Sequence, residues 1–567
     1  MDLKAAFFGS SDPENSITVD KPPLSLWIMG ISVRIFGFNP MAMLMPQVLM
    51  GVGTTLLIYL ILRRYVSAAA ALLASVTFFT TPIVTLLSRY NNPDPLMLLL
   101  MTAALWCTIR SIESGKAHLF GIAGALLGLA FMTKQLQGLI SMPALGVAYL
   151  AFSPLQWLTR LRSAAVACLA TAVTGGAWMA IVELTPASLR PYVGGSRTNS
   201  IVELTLGYNG VDRISGGDPL PEAMQVPAEF SNVDSDAGIL RLLNANYNQE
   251  ASWLLYVALG AVIVIACSRR QVKACKAYRA LIVCSSIWLV TAFIVLSYMG
   301  SQIHTYYTAV LAPPIALILG IAIDRAMSPR RLSQTLIPWG GLALVGILTS
   351  WLILRGTVGW PDWLPTAILV AGVSSIAALI LKPPTKVVEI GAATVLLIAL
   401  VTGPTVTSIH NVTLSFTGSN PLSGVLSQNP AGISHLLESL KNNELPWGHD
   451  MVFGRQPDTE VVSALRESTG CRWSAASYAS QTAARLQLES GRAVMPLGGF
   501  AGSDPSPTLD TFKKIVASGD VCFFVEQEAF LEVQALDSES TDISKWVSEN
   551  YHPEKVGNTT VYRLVKP

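Results

Sequence analysis

The sequence predicts a polytopic all-α membrane domain over residues 1–404, with about twelve spans by the length of its apolar runs, followed by a small soluble α/β domain over 405–567. Three observations carry this. Half of the 567 residues are apolar (51%) and only 13% are charged, a balance typical of chains that live in lipid. Apolar runs of roughly 17 to 25 residues recur along the first four hundred positions, each long enough to cross a bilayer as a helix. After about residue 405 charge rises, apolar runs shorten and strand and helix patterns alternate, as in a single soluble domain. The formal net charge of +2 gives no electrostatic support for a nucleic-acid partner.

In chain order, residues 1–21 are polar and turn-rich, with Gly9-Ser10-Ser11-Asp12-Pro13, and carry no basic leader and apolar core of a signal peptide. Residues 22–38 start at Pro22-Pro23 and contain Arg34. They are too short to cross, and are expected to lie along the interface as an amphipathic helix. Spans follow near 43–62, 66–87, 94–110, 117–133, 136–153, 163–183, 252–268, 278–299, 305–324, 334–354, 364–381 and 387–404.

Basic residues set the orientation. Arg63 and Arg64, Arg110 with Lys116, Arg160 with Arg162, the Arg269 to Lys276 cluster, Arg325 with Arg330 and Arg331, and Lys382 with Lys386 fall on alternate loops, which are therefore cytoplasmic. The opposite, extracytoplasmic face receives residues 1–42, the turn at Arg89 to Asp94, Lys134, the loop 184–250, the turn at His304 and the whole C-terminal domain. This makes it a multi-pass membrane chain with an extracytoplasmic C-terminal domain. With residue 1 outside, either the chain starts on that face or a further helix lies upstream of it, which would make thirteen spans.

Within the C-terminal domain, Arg472 to Ser477, Ala493 to Leu497 and Val521 to Glu526 read as strands, and Ser480 to Glu489 and Leu509 to Ser518 as helices. Its two cysteines, Cys471 and Cys522, sit in an oxidising compartment by this topology; they form a disulfide or remain two buried thiols.

The chemistry-bearing residues gather on the extracytoplasmic face. Asp20-Lys21 sets a carboxylate beside an ammonium at the entry to the interfacial helix, and Asn92-Pro93-Asp94 tops a span. The loop Arg190-Pro191-Tyr192-Val193-Gly194-Gly195-Ser196-Arg197-Thr198-Asn199 adds cations of the kind a lipid phosphate requires. Lys134 stands at an extracytoplasmic span end, where positive charge is otherwise disfavoured, and is a further phosphate candidate. His304, with Tyr306 and Tyr307, is a candidate for positioning a substrate. Against these stand plainer readings: a solvated turn for Asp20-Lys21, headgroup binding for Arg190 and Arg197, and an interfacial aromatic belt for His304. His410, His435, His449 and His552 show no metal-ligand spacing.

The Asp20-Lys21-Pro22-Pro23-Leu24 run, the interfacial helix ending in Phe36-Gly37-Phe38, Pro46, and Asn92-Pro93-Asp94 resemble the GT-C glycosyltransferases related to aminoarabinose and protein-mannosyl transferases. A bacterial branch is the closer match. It carries Arg190 to Ser196, Gly207-Tyr208-Asn209-Gly210, and Gly498-Gly499-Phe500-Ala501-Gly502-Ser503-Asp504-Pro505 in an extracytoplasmic C-terminal domain.

The resemblance implies inverting transfer of a sugar from a polyprenyl-phosphate donor to a lipid, glycan or protein acceptor, with no nucleotide cofactor. It matches Asp20 to an acidic position that can hold a divalent metal cation, and Lys21 to the cation that meets the donor phosphate. Asp20, Lys21 and Asp94 are then the catalytic candidates, with Asp94 orienting a sugar hydroxyl or the acceptor. Lys21, Lys134, Arg190 and Arg197 are the donor-phosphate candidates, and Asn92, Tyr192, Asn199, His304 and Tyr307 the substrate-binding candidates. The superfamily's general base lies in the first outer loop, upstream of residue 1, and is not transferred to Asp12 or Glu14.

Two other classes share these features. A transporter or flippase would carry ionisable groups at mid-span, whereas Glu389 and Asp324 lie near cytoplasmic ends. A non-catalytic scaffold of envelope glycan assembly would use the C-terminal domain as a binding module.

Overall fold

The computed structural model describes residues 3–211, 237–267, 275–300, 303–327, 332–381, 385–426, 433–531 and 538–565. Most of the Arg269 to Lys276 cluster, together with Arg330, Arg331, Lys382 and the middle of the 184–250 loop, lies outside these residues. Among the described residues ten helices are long and apolar enough to cross a membrane. The expected interfacial segment is a helix, Leu24–Phe36, opened by Pro23 and closed by Gly37 at φ 84°.

Two of the expected spans are broken. The 66–87 run is two helices, Ala68–Phe79 and Pro82–Leu87. Pro82 supplies no N–H and crowds the residue before it, so Thr81 turns extended (φ −69°, ψ 118°) and the helix stops. The 136–153 run begins where Gln135 takes φ 46°, ending the helix Ala117–Lys134; a 3₁₀ turn, Gln135–Leu139, and a short helix, Met142–Phe152, follow. The 305–324 run likewise opens as a 3₁₀ stretch, Thr305–Leu311, ahead of the helix Ala312–Ala326. The last helix, Lys386–Thr413, runs well past residue 404. Irregular backbone at these depths is tolerated where protein buries it or where it lines a cavity, and the breaks fall beside the charged residues described below.

Close packing fixes the helix that ends at Lys134. A Cβ on Gly124 would stand 2.1 Å from the Ala167 carbonyl oxygen, and one on Gly128 1.9 Å from Thr174 Oγ1, so only glycine lets the helix Trp157–Leu184 approach. The contact is sealed by Thr171 Oγ1 donating to the Gly124 carbonyl at 2.8 Å and Thr174 Oγ1 to Ala125 at 3.0 Å, the small-residue and hydroxyl pattern of helix pairs in lipid.

The C-terminal domain is a five-stranded sheet of β1 (Trp473–Tyr478), β2 (Val494–Leu497), β3 (Val521–Val525), β4 (Pro553–Val556) and β5 (Thr559–Arg563) in the order β2-β1-β3-β5-β4. The first three strands pair in parallel and β5 pairs antiparallel to both β3 and β4. The first three match expectation. The β4–β5 hairpin was not foreseen, because β4 is exposed along most of its length and shows no apolar alternation. Cys471, just ahead of β1, and Cys522 in β3 form a disulfide, with Cα atoms 5.7 Å apart.

This domain docks on the N-terminal segment. Trp473 Nε1 donates to Asp12 Oδ1 at 3.0 Å, and Arg472 Nε pairs with Glu14 at 3.1 Å. Asp12 also accepts from the Glu14 and Ser16 N–H groups, each at 2.9 Å, so both acids are engaged in docking.

Candidate active site

The segment leading to Asp20 is stitched to the 190–199 loop. Ser10 bridges Thr18 antiparallel and Ile17 bridges Tyr192 in parallel; the Thr18 N–H donates to the Tyr192 carbonyl at 2.8 Å, and the Tyr192 N–H to Ser16 at 3.1 Å. Asn209 Nδ2 holds the Asp20 carbonyl at 3.0 Å. With its backbone so anchored, Lys21 Nζ pairs with Asp20 Oδ1 at 3.0 Å while both side chains stay partly open, 32% and 26% exposed.

Beneath them lies a closed pair. Asp94 Oδ2 accepts from Lys134 Nζ at 2.6 Å, with the side chains 0% and 6% exposed. Asn92 Oδ1 caps the Asp94 N–H at 2.9 Å, which starts the helix Asp94–Ser114. Lys134 Nζ also sits 4.6 Å from the Tyr306 ring centre and 4.4 Å from that of Tyr307, and the His304 ring stacks on Tyr306 at 5.3 Å. A lysine desolvated this fully is held by its counter-ion and by two aromatic faces. The Lys21 ammonium acts electrostatically on Asp94, which places the two lysines around one carboxylate. Asp94 Oδ1 is buried and, among the described residues, has no hydrogen-bond partner. An orphaned oxygen of this kind is rare in a native fold.

The loop residues divide. Arg190 donates to the Thr185 carbonyl at 3.1 Å and to the Asn199 carbonyl at 2.7 Å, while Asn199, at φ 58°, accepts the Val193 N–H at 2.9 Å. Both therefore stand in the bonding that closes the loop on itself. Tyr192 donates to the Ser196 carbonyl at 2.6 Å, and burial pushes its phenol up to about 12. Arg197 is exposed on the same loop, its N–H bonded to Glu203 at 2.8 Å.

One carboxylate escaped the sequence reading. The loop after β2 turns through Gly498, Gly499 and Gly502, all left-handed at φ 71°, 66° and 76°. A Cβ at Gly499 would lie 2.1 Å from Asp504 Oδ2, and one at Gly502 2.1 Å from the Tyr478 ring. Glycine there lets the loop fold over so that Asp504 Oδ2 accepts the Gly195 N–H at 2.9 Å, across the domain boundary. Burial, then the negative charge of Asp20, push the Asp504 carboxyl up to about 6 against the opposing Gly195 bond. Asp504 thus faces Asp20 from the C-terminal domain. The glycine motif was legible; its target was not.

The sign of that shift gives a test. The folded value of about 6 lies above the ordinary 3.8, so the stability it contributes is full below 3.8 and is lost as pH rises through 6. We expect Asp504→Asn, which keeps an oxygen for Gly195, to melt higher than wild type at pH 7.5, by up to roughly 3 kcal/mol. The advantage should vanish below pH 4. Thermal unfolding of both proteins across that range checks it.

Asp20 also bears on metal binding. Among the described residues no three His, Cys, Asp or Glu side chains gather as a metal cage. The site offers Asp20 and, facing it, Asp504. Two carboxylates, with phosphate and water completing the shell, fit a hard divalent ion such as Mg²⁺, which keeps several waters and takes few protein ligands.

A family model described as dolichyl-phosphate-mannose-protein mannosyltransferase matches residues 20–178, starting at Asp20. A second, described as "Putative mannosyltransferase YkcB-like, C-terminal", matches residues 461–550. Two proteins of Bacillus subtilis (strain 168), named "Putative mannosyltransferase YkcB" and "Putative mannosyltransferase YycA", are each 27% identical over 96% of this chain, covering 85% and 87% of their own lengths. The crystal structure of ArnT from Cupriavidus metallidurans bound to undecaprenyl phosphate shares the fold, with a TM-score of 0.50 and 14% identity over 96% of this chain and 88% of that one. Multi-pass helices, a sheet domain docked at one end and these relationships agree: the chain has the fold of ArnT and is similar to mannosyltransferase-like membrane proteins.

Proposed function

We propose that the protein moves a sugar from a polyprenyl-phosphate donor to a hydroxyl-bearing acceptor at the extracytoplasmic face, with inversion at the anomeric carbon. The observation that carries this is the placement of Lys21, partly open, above the buried Asp94–Lys134 pair at the end of the bundle where the C-terminal domain docks. The ArnT neighbour, solved bound to undecaprenyl phosphate, supports a lipid phosphate as the ligand class.

As the bond from the anomeric carbon to the phosphate breaks, its electron pair leaves with the phosphate and negative charge grows there. A fixed ammonium at Lys21 stabilises that charge more in the transition state than in the ground state. Lys134, fixed by Asp94 and the two tyrosines, adds positive potential from beneath. Asp94 Oδ1 accepts a sugar or acceptor hydroxyl, and Tyr192, His304 and Tyr307 border the sugar's path. Arg197 reaches the headgroup region from the loop that Arg190 and Asn199 hold in shape. A divalent cation at Asp20 would, when bound, offset phosphate charge. The sidedness follows from the basic loops.

The test is transfer from radiolabelled polyprenyl-phosphate sugars in membranes lacking the native gene. Label reaching an acceptor is the expected result. A correctly inserted protein that transfers from none of the donors would overturn the reading.

A further inference from the structure

A cavity of about 550 Å³ lies at the same end of the bundle, between the helix start at Asn248–Ala251, the end of Lys386–Thr413, the strap 414–426 and the helix Ile433–Lys441. It is distinct from the Lys21 site, yet one wall is shared. Glu250, 1% exposed, lies against Thr305, which begins the 3₁₀ stretch carrying Tyr306 and Tyr307 beneath Lys134.

The cavity is preformed. Gln249 clamps Val425 in both directions, accepting its N–H at 3.1 Å and donating to its carbonyl at 2.8 Å, and the Gly424 N–H reaches Asn411 Oδ1 at 2.8 Å. Against this rigid strap three buried polar atoms lack partners among the described residues. Glu250 Oε1 accepts the Ser423 N–H at 3.0 Å and the Ser423 and Thr305 hydroxyls stand near its carboxylate, but Glu250 Oε2, Ser423 Oγ and Asn420 Oδ1 make no hydrogen bond of good geometry among the described residues. Leaving such atoms unbonded costs roughly 1–3 kcal/mol each, so three around one cavity point to a ligand.

Two of the three accept only, and the hydroxyl does both. The complement must therefore bring several O–H donors in fixed positions. An acyl chain cannot, and Glu250, which stands among these atoms, would repel an anionic phosphate there, with Lys441 and His410 elsewhere in the lining. A neutral carbohydrate can, and the volume falls in the range of small-ligand sites. Phe416 on the strap offers an apolar face for a sugar ring.

We infer that this cavity is the acceptor subsite and that it takes a neutral glycan, gripped by Glu250, Asn420 and Ser423, with one hydroxyl directed past Thr305 toward Lys21 and Asp94. This rests on the transferase reading and names its acceptor class.

The experiment uses the full chain in nanodiscs and two readouts. Saturation-transfer NMR with mannobiose, cellobiose and chitobiose reports saccharide binding. Labelling by a photoactivatable polyprenyl-phosphate sugar reports the donor site. At least one disaccharide should bind wild type, and Asn420→Leu and Ser423→Ala should each weaken that binding at least tenfold while donor labelling, melting temperature and the Cys471–Cys522 disulfide stay unchanged. If donor labelling holds but no disaccharide binds, or both variants bind as wild type does, this inference falls and the transferase reading stands. Absence of donor labelling in wild type overturns both.

Discussion

Replacing Lys21 with alanine is expected to lower the rate of sugar transfer by about 10²–10³-fold, the usual loss when one preorganised group facing developing charge is removed. Stability should hardly change, because the Lys21–Asp20 pair is partly solvated and such pairs contribute little. Lys21→Arg should recover part of the rate, since it restores charge but not the compact geometry of an ammonium. Initial rates of transfer, read beside melting temperatures, separate these outcomes. A large loss of folding in Lys21→Ala would show that the pair holds the N-terminal segment in place rather than meeting a phosphate.

Breaking the deeper pair should act the other way, on stability first. Lys134→Met leaves Asp94, which is fully buried, without its counter-ion. The expected cost is about 3–5 kcal/mol, with release of the Tyr306–Tyr307 cage. Adding Asp94→Asn removes the stranded charge, so the double variant should regain most of the lost stability, and a double-mutant cycle should show coupling of at least about 2 kcal/mol. Transfer should stay low in all three variants. Recovery of transfer together with stability would reduce the pair to a structural element.

Much of this was readable in the sequence, for physical reasons that can be named. Long apolar runs betray membrane helices because the length of a bilayer fixes their number of residues. Asp20, Lys21, Asp94, Lys134 and His304 to Tyr307 stood out because charge and aromatic residues at the ends of such runs have few structural uses. The breaks were less legible. Pro82 was visible, but the turn at Gln135 follows from tertiary packing, which holds a non-glycine residue at φ 46°. Arg190 and Asn199 looked like ligand groups because loop closure and phosphate binding use the same side chains. Asp504 was out of reach for another reason: its partner Gly195 is 309 residues away, and only the folded glycine loop brings it to Asp20. Glu250 does not stand out in the sequence, since nothing local reveals that the Ser423 N–H will satisfy one of its oxygens.

The measurement that bears most directly on the account is mapping where a photoactivatable polyprenyl phosphate attaches. Cross-links are expected in the Asp20 to Phe36 segment and beside Lys134 and Tyr307, competed by unlabelled polyprenyl phosphate and lost in Lys21→Ala. Labelling confined to the opposite end of the bundle, near Arg64 and Arg110, would contradict it.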